Sequence, residues 1–463
     1  MTGSFRFGRR LFALAGCAFA LMTSSARAAD PPLAIEGPVA ITQESGEPFR
    51  GTNAQPVAGP GMPPPVLQPH DFVEEEYFLS GTIDGRPFRT AMLVRKPRDP
   101  AKFSGLVAVE TIHLAGAIPF WGSARVWLEG GHGWVGVASQ KGALDGHLKR
   151  VNPSRYAELD IPDLSEPGDA PMRGTKQDLF SQRIMTQVGM LLKGNRAEGP
   201  FSGMEVQHLL MGGSSQTGGT TLRYVRDSHD DARMPDGSPV FDGYAPWEAF
   251  PAEPVFARDA KIVHVVAEGD VMSYLMRSRP MAWGEDRDGP DGGYRHYQVT
   301  GASHVGTRGP AADALKAYGT LDNLAPGQEV STFPQAEVLT PANRFLVDWV
   351  MHGKAPPPGQ SLVIENGDIA RDTLGIAKGG VRSPWVDIPK TRYIASIPPQ
   401  GTLYGLEEPF AAEQLRQLYG SCTAWLAEFE TQAAGMVATG WMFADDARKL
   451  TDEEAAMCTF DPE

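Results

Sequence analysis

The stretch His208-Leu-Leu-Met-Gly-Gly-Ser-Ser-Gln-Thr-Gly-Gly-Thr220 decides the fold. An apolar run enters Gly213-Ser214-Ser215-Gln216-Thr217, and a helical pattern begins directly after it. A strand, a sharp turn and a helix in this order are the setting of a nucleophile elbow. The turn is so tight that the residues two before and two after the nucleophile must be small. Size therefore sets the register. With Ser215 as nucleophile the flanking positions are Gly213 and Thr217; with Ser214 they are Gly212 and Gln216, and the long Gln does not fit. The bland alternative, a Gly/Ser-rich turn with no chemistry, makes partners for Ser215 the next thing to look for.

A serine hydroxyl attacks a carbonyl effectively only when a base takes its proton, and that base is normally a neutral His held by a carboxylate. On this type of scaffold the chain order is Ser, then acid, then His. Downstream, Lys261-Ile-Val-His-Val-Val-Ala267 reads as a strand and runs into Glu268-Gly269-Asp270. Asp270 is the preferred acid and Glu268 the runner-up. Tyr294-Arg-His-Tyr-Gln-Val-Thr-Gly-Ala-Ser-His304 then gives a strand followed by a His on a loop of small residues, which makes His304 the candidate base. Of the other histidines, His264 and His296 fall inside strands and read as structural, and His352 ends a helix at the surface. An oxyanion developing on the substrate needs backbone N–H donors. Gln216, directly after the nucleophile, is expected to supply one, and Ile112 or His113, in the loop after the strand 106–109, the other. His113, Trp121 and Trp247 are candidates to line a substrate pocket, with plain packing as the competing role for each.

Short apolar runs at 106–109, 134–137, 206–211, 262–266 and 297–299 alternate with helix-like stretches at 120–129, 178–192, 220–227 and 342–352. Strands alternating with helices predict an α/β fold: a mostly parallel central sheet with helices on both faces, its ligand at the carboxyl ends of the strands. Residues 73–80 and 87–96, joined through Asp84-Gly85, predict an N-terminal hairpin. Residues 29–70 read as an extended arm. Residues 356–463, Pro- and Gly-rich and then helical around 411–431, read as an extension packed on the body. The mature chain, 29–463, is expected to be one domain.

The 463 residues carry a formal net charge of −14, and 41% are hydrophobic, enough for a large core and too apolar for disorder. Residues 1–28 have the form of a signal peptide: Arg6, Arg9 and Arg10, an apolar run too short for a confident membrane span, then Ala26-Arg27-Ala28. Leu14-Ala-Gly-Cys17 also resembles a lipoprotein site that would leave a lipid anchor on Cys17. The conventional site is preferred, with a periplasmic or secreted location. Residues 1–28 hold four Arg and no acid, so their removal takes the charge from −14 to −18. That balance argues against nucleic acid and anionic lipid as partners. After cleavage Cys422 and Cys458 are the only cysteines, either disulfide-bonded in an oxidising compartment or two buried thiols.

These residues carry a resemblance to the large bacterial family of alpha/beta hydrolase domain-containing proteins. It runs through Val73-Glu-Glu-Glu-Tyr-Phe-Leu-Ser-Gly81, Val107-Ala-Val-Glu-Thr111, Asp178-Leu-Phe-Ser-Gln182, the elbow at 213–217 and Gly301-Ala-Ser-His304. It resumes at Gly379-Gly-Val-Arg-Ser-Pro-Trp-Val-Asp-Ile-Pro389 and Leu418-Tyr-Gly-Ser421. The resemblance implies the α/β-hydrolase fold, with Ser215, Asp270 and His304 in the nucleophile, acid and base positions. The chain departs from the family pattern at Ser214, where an acidic residue is usual, and at Thr217, where Ser is. It diverges again after Asp242-Gly243. Motif and resemblance together predict an exported serine hydrolase that cleaves a carboxylic ester, small or polymeric, through an acyl-enzyme. No metal or organic cofactor is expected, since HExxH, P-loop and dinucleotide-binding patterns are missing. An acyltransferase or amidase using the same triad, and a non-catalytic binding protein on the same scaffold, are the alternatives.

Overall fold

The computed structural model describes residues 32–51, 65–167, 169, 175–195, 197–308, 328–396 and 403–461. The segment 1–28, expected to be a signal peptide, and Cys17 lie outside the described residues. The centre of the molecule is a nine-stranded sheet of β1 (Ala34–Glu36), β2 (Phe72–Ile83), β3 (Arg86–Pro97), β4 (Leu106–Thr111), β5 (Gly133–Val137), β6 (His208–Ser214), β7 (Gly243–Trp247), β8 (Lys261–Ala267) and β9 (Gly293–Val299). Their spatial order is β1-β2-β3-β5-β4-β6-β7-β8-β9. β5, β4, β6, β7, β8 and β9 run parallel, while β1, β2 and β3 pair antiparallel with one another and with β5.

The predicted hairpin is β2–β3, in register from Phe72↔Pro97 to Ile83↔Arg86. Its turn puts both Asp84 (φ 51°) and Gly85 (φ 74°) in the left-handed region, the mirror-type turn whose twist matches that of the strands. Every residue of β4, β5 and β9 is buried, as expected of strands covered on both faces. Helices Lys176–Lys193, Gln216–Asp227 and Pro341–His352 overlap the helical stretches read from periodicity. From β4 the chain moves to β5 on one side, and from β5 it crosses back to β6 on the other side of β4. The loops after β4 and β6 therefore diverge, and they open the crevice where ligands bind in sheets of this type.

The structure departs from the sequence expectations in three places. The arm is not merely extended: β1 adds a strand to the sheet edge, and Val39 N–H donates to Glu76 O at 2.7 Å. β7 was not expected, because Gly243 and Pro246 hide its apolar pattern. Pro246 has no N–H to donate, and the β7–β8 ladder skips from Tyr244↔Ile262 to Trp247↔Val265. The C-terminal helical run is two helices, Ala412–Tyr419 and Cys422–Thr439, separated at Gly420 (φ 78°). This C-terminal part covers the sheet edge at β9, with Gln298 N–H donating to Gln360 O and Val381 N–H to Gln298 O. Trp441 packs edge-on against Tyr297 of β9 and against Phe345. A strand edge that would otherwise present free backbone groups is thereby paired. Cys422 and Cys458 are joined by a disulfide that ties the last helix to its neighbour.

Candidate active site

Ser215 stands between β6 and the helix Gln216–Asp227 with φ 57° and ψ −118°, a conformation that costs a non-glycine residue on the order of 1–3 kcal/mol. Three contacts hold it there. Ser215 N–H donates to Trp247 O at 3.0 Å. Ser214 N–H donates to Thr217 Oγ1 at 3.0 Å, and the same hydroxyl donates to Ser214 O at 2.9 Å. A Cβ placed on Gly213 would come within 2.7 Å of Thr217 Cβ, which is the collision that the size argument anticipated. Thr217, bulky for this position, is accommodated because its hydroxyl closes the turn on both backbone groups of Ser214.

His304 and Asp270 come together, 34 residues apart in the chain, with Nδ1 and Oδ1 at 2.6 Å. A carboxylate can only accept, so this bond places the ring proton on Nδ1 and leaves Nε2 with a lone pair. Asp270 is not on a loop. It lies in the first turn of the helix Glu268–Met276, buried, with Oδ2 accepting from Ala267 N–H at 3.3 Å. Burial lowers the affinity of the His304 ring for its proton, but the charge and hydrogen bond of Asp270 outweigh that, with Glu248 adding to them. The result is a pKa raised to about 9.

Glu268, the runner-up acid, points elsewhere. Its Oε2 accepts from Gly301 N–H at 2.8 Å and its Oε1 pairs with Arg371 at 2.9 Å. Gly269 N–H donates to Ala302 O at 3.0 Å, so the two bonds strap the loop that bears His304 to the helix that bears Asp270. The turn between them needs Gly301, whose φ is 83°. Glu268 thus holds backbone, and Asp270 holds the ring.

The expected second oxyanion donors require correction. Ile112 N–H donates to Val137 O of β5 at 2.8 Å and His113 N–H to Ala117 O of its own loop at 2.9 Å, so both are already committed. Gln216 is the first residue of its helix, where an N–H has no acceptor within the helix. The Gln216 side chain accepts from Leu114 N–H at 3.1 Å and donates to Gln140 Oε1 at 2.7 Å, tying the two loops together. Trp121 also does not line a pocket: it is buried, with the Arg95 guanidinium 4.1 Å from its ring and Trp134 packed on it edge-on. Trp247 is half-buried, and its backbone carbonyl receives Ser215. His113 is half-buried and accepts from Ala115 N–H at 2.8 Å. Burial, the positive charge of His304 and that of His147 lower its pKa to about 4, so it stays neutral beside the base.

Sequence reading missed three residues. Glu110, at the end of β4, is buried and accepts from Phe120 N–H (3.0 Å), Trp121 N–H (2.8 Å) and Trp134 Nε1–H (2.9 Å), which fixes the loop leading away from the site. Glu248 follows β7 directly and accepts from the Ser214 hydroxyl. Gln335 donates to Glu248 Oε1 at 3.4 Å while its Oε1 accepts from Ser303 N–H at 3.1 Å. The signal for Glu248 was a carboxylate at a strand end, and it was lost together with β7. A cavity of about 230 Å³ opens beyond Leu114 and Gln140, lined also by Lys141, Ser165, Glu166 and Asp178.

Among solved structures, the chain is similar to esterase Est22, with 13% identity, a TM-score of 0.24, and coverage of 38% of this chain and 44% of that one. It is similar to a CE15 esterase from a marine bacterial metagenome, with 10% identity, a TM-score of 0.25, and coverage of 48% and 52%. For an acetyl xylan esterase from Paenibacillus sp. R4 the values are 11%, 0.24, 38% and 48%. The chain spans about half the length of these structures, and likeness at this level carries no argument about chemistry. None of the curated proteins matches the chain. The family model described as "Alpha/beta hydrolase domain" matches residues 35–452, nearly the whole sequence, and with the sheet order and the elbow already in view the chain belongs to that family.

Proposed function

We propose that the protein is an exported serine hydrolase that cleaves a carboxylic ester through an acyl-enzyme, with Ser215 as nucleophile, His304 as base and Asp270 as the acid that orients it. The observation that carries this reading is the 2.6 Å contact of Asp270 with His304 Nδ1, made at the same sheet rim as the strained Ser215. In the first step Ser215 Oγ bonds to the carbonyl carbon, the hydroxyl proton passes to His304 Nε2, and the carbonyl π pair moves onto oxygen. The N–H of Gln216 donates to that oxyanion. The adduct then collapses, breaking the bond to the alcohol oxygen, which leaves with the proton from His304. Water repeats the sequence on the acyl-enzyme and releases the acid. The cavity beyond Gln140 suits a small substituent of the ester.

Labelling with a fluorophosphonate tests the reading. The wild-type chain is expected to label and Ser215→Ala is not. Equal labelling of both would refute Ser215 as the nucleophile, and an unlabelled wild type that hydrolyses no ester in a short- and long-chain panel would favour a binding protein. Export is part of the proposal, supported by the form of residues 1–28 and by a disulfide, which persists in oxidising compartments. Sequencing the amino terminus of the protein recovered from a bacterial periplasm is expected to begin just after Ala28.

A further inference from the structure

Among the described residues, Glu248 is a carboxylate bonded at the site that the mechanism above leaves without a task. It sits at the carboxyl end of β7 with φ 54°, a left-handed conformation that few residues of its size adopt, one strand away from the equally strained Ser215. Its two oxygens reach toward the two halves of the reacting pair. Oε2 accepts from the hydroxyl of Ser214, the residue before the nucleophile. Oε1 accepts from Gln335, which in turn holds the N–H of Ser303, the residue before the base. Its own N–H donates to Val265 O at 2.8 Å, which fixes the backbone to β8, the strand that leads into the helix bearing Asp270. A half-buried carboxylate held so firmly, with no cation bonded to it in the described structure, is expensive unless a positive charge appears nearby.

We propose that Glu248 is a positioning residue of the reaction: a second carboxylate, linked by hydrogen bonds to the residues that precede Ser215 and His304, which offsets the positive charge the ring acquires on taking the Ser215 proton. The proposal rests on the triad reading. Among the described residues, the charged and titratable groups that act on the ring are Asp270 from the helix after β8, Glu248 from the end of β7, and His113 from the loop after β4. His113 is neutral, so the two carboxylates dominate. Desolvation pushes the Glu248 carboxyl up to about 7; the His304 charge opposes that shift and the Asp270 charge reinforces it. The two groups therefore titrate as a pair, with Glu248 losing its proton most readily when the ring holds one. The division of labour follows from geometry. Asp270 bonds Nδ1 and sets the tautomer, whereas Glu248 acts on the ring only through charge.

The test is the pH profile of kcat/KM on p-nitrophenyl acetate for the wild type, Glu248→Gln, Glu248→Asp and Ser215→Ala. Gln fits the site, since its oxygen can receive Gln335 while its NH2 donates to Ser214 Oγ. In Glu248→Gln the acid limb is expected to move down by about one pH unit, the low end of the effect of a nearby opposite charge. Glu248→Asp is expected to keep the wild-type limb. An acid limb in Glu248→Gln that coincides with the wild type overturns the proposal, whatever happens to kcat, because a scaffold role lowers kcat without moving the limb. Should Glu248→Gln not fold, NMR titration of His304 in the wild-type chain decides: two inflections, one from Glu248 near pH 7, support the coupling, and a single one overturns it. Turnover that survives in Ser215→Ala overturns the triad itself, whereas an unmoved limb beside an inactive Ser215→Ala overturns only the role of Glu248.

Discussion

Replacing Asp270 by Asn changes one atom and tests the whole arrangement. In the native site Oδ2 receives Ala267 N–H and Oδ1 receives the ring at Nδ1. Asn has one oxygen. The backbone N–H cannot face an NH2 group, so the amide oxygen goes to Ala267 and the NH2 turns to His304. A donor at that position selects the tautomer with a lone pair on Nδ1, which places the ring proton on Nε2, where it blocks acceptance of the Ser215 proton. The outcome is a base of the right shape in the wrong tautomer, a change that lowers kcat by on the order of 10⁴ in triads. At 1.36 kcal/mol per decade that is about 5.4 kcal/mol of lost transition-state stabilisation. KM should change little, because Asp270 is buried and bonds the ring, not the substrate. The assay is steady-state hydrolysis of a p-nitrophenyl ester, with thermal unfolding by circular dichroism to establish that the variant is folded. Glu268→Gln serves as the control. It leaves the tautomer alone, and its expected effect is on stability, through the Gly301 and Arg371 contacts. A folded Asp270→Asn within tenfold of wild-type kcat, or a larger kcat loss in Glu268→Gln, would refute the assignment.

Four further outcomes follow from the same geometry. The base must be neutral to work and its pKa is raised to about 9, so kcat/KM is expected to climb with pH and level off only above about 9; a plateau already reached at pH 6 would contradict the Asp270–His304 coupling. The sign for stability is opposite. The folded state holds the His304 proton more tightly than the unfolded state, so this contribution is full below the ordinary His value of 6.5 and is lost as pH rises through about 9. The Tm advantage of wild type over His304→Gln should shrink across that window. Thr217→Val keeps the shape but removes both bonds to Ser214, and is expected to cost about 1–3 kcal/mol in denaturant unfolding and to lower kcat, while Thr217→Ser retains both. Glu110→Gln puts an NH2 group against at least one of three buried N–H donors. The expected loss is again about 1–3 kcal/mol per unsatisfied group by urea titration, and an unchanged midpoint would show that the loop 112–121 does not depend on it.

Much of this molecule is legible in its sequence because the constraints are local. The elbow is a matter of side-chain volume at positions two before and two after Ser215, and volume can be read residue by residue. The parallel strands announce themselves as short apolar runs, and the Asp84-Gly85 turn as a pair able to take positive φ. The order Ser, acid, His leaves His296, His304 and His352 of the ten histidines, and position after a strand on a loop of small residues singles out His304. What the sequence could not decide depends on where backbone groups find partners. The choice between Asp270 and Glu268 turns on which of two carboxylates, two positions apart, reaches the ring on a distant loop: Asp270 is 34 positions from His304, and Glu268 is 33 from Gly301. The N–H groups of Ile112 and His113 looked available as oxyanion donors, yet Val137 and Ala117 take them, and only the assembled sheet and loop reveal this. β7 and Glu248 were hidden because Gly243 and Pro246 break the apolar pattern that marks a strand, although neighbours on both sides force the segment to extend. Volume and periodicity are written along the chain, whereas hydrogen-bond partnership is settled between segments that meet only when it folds.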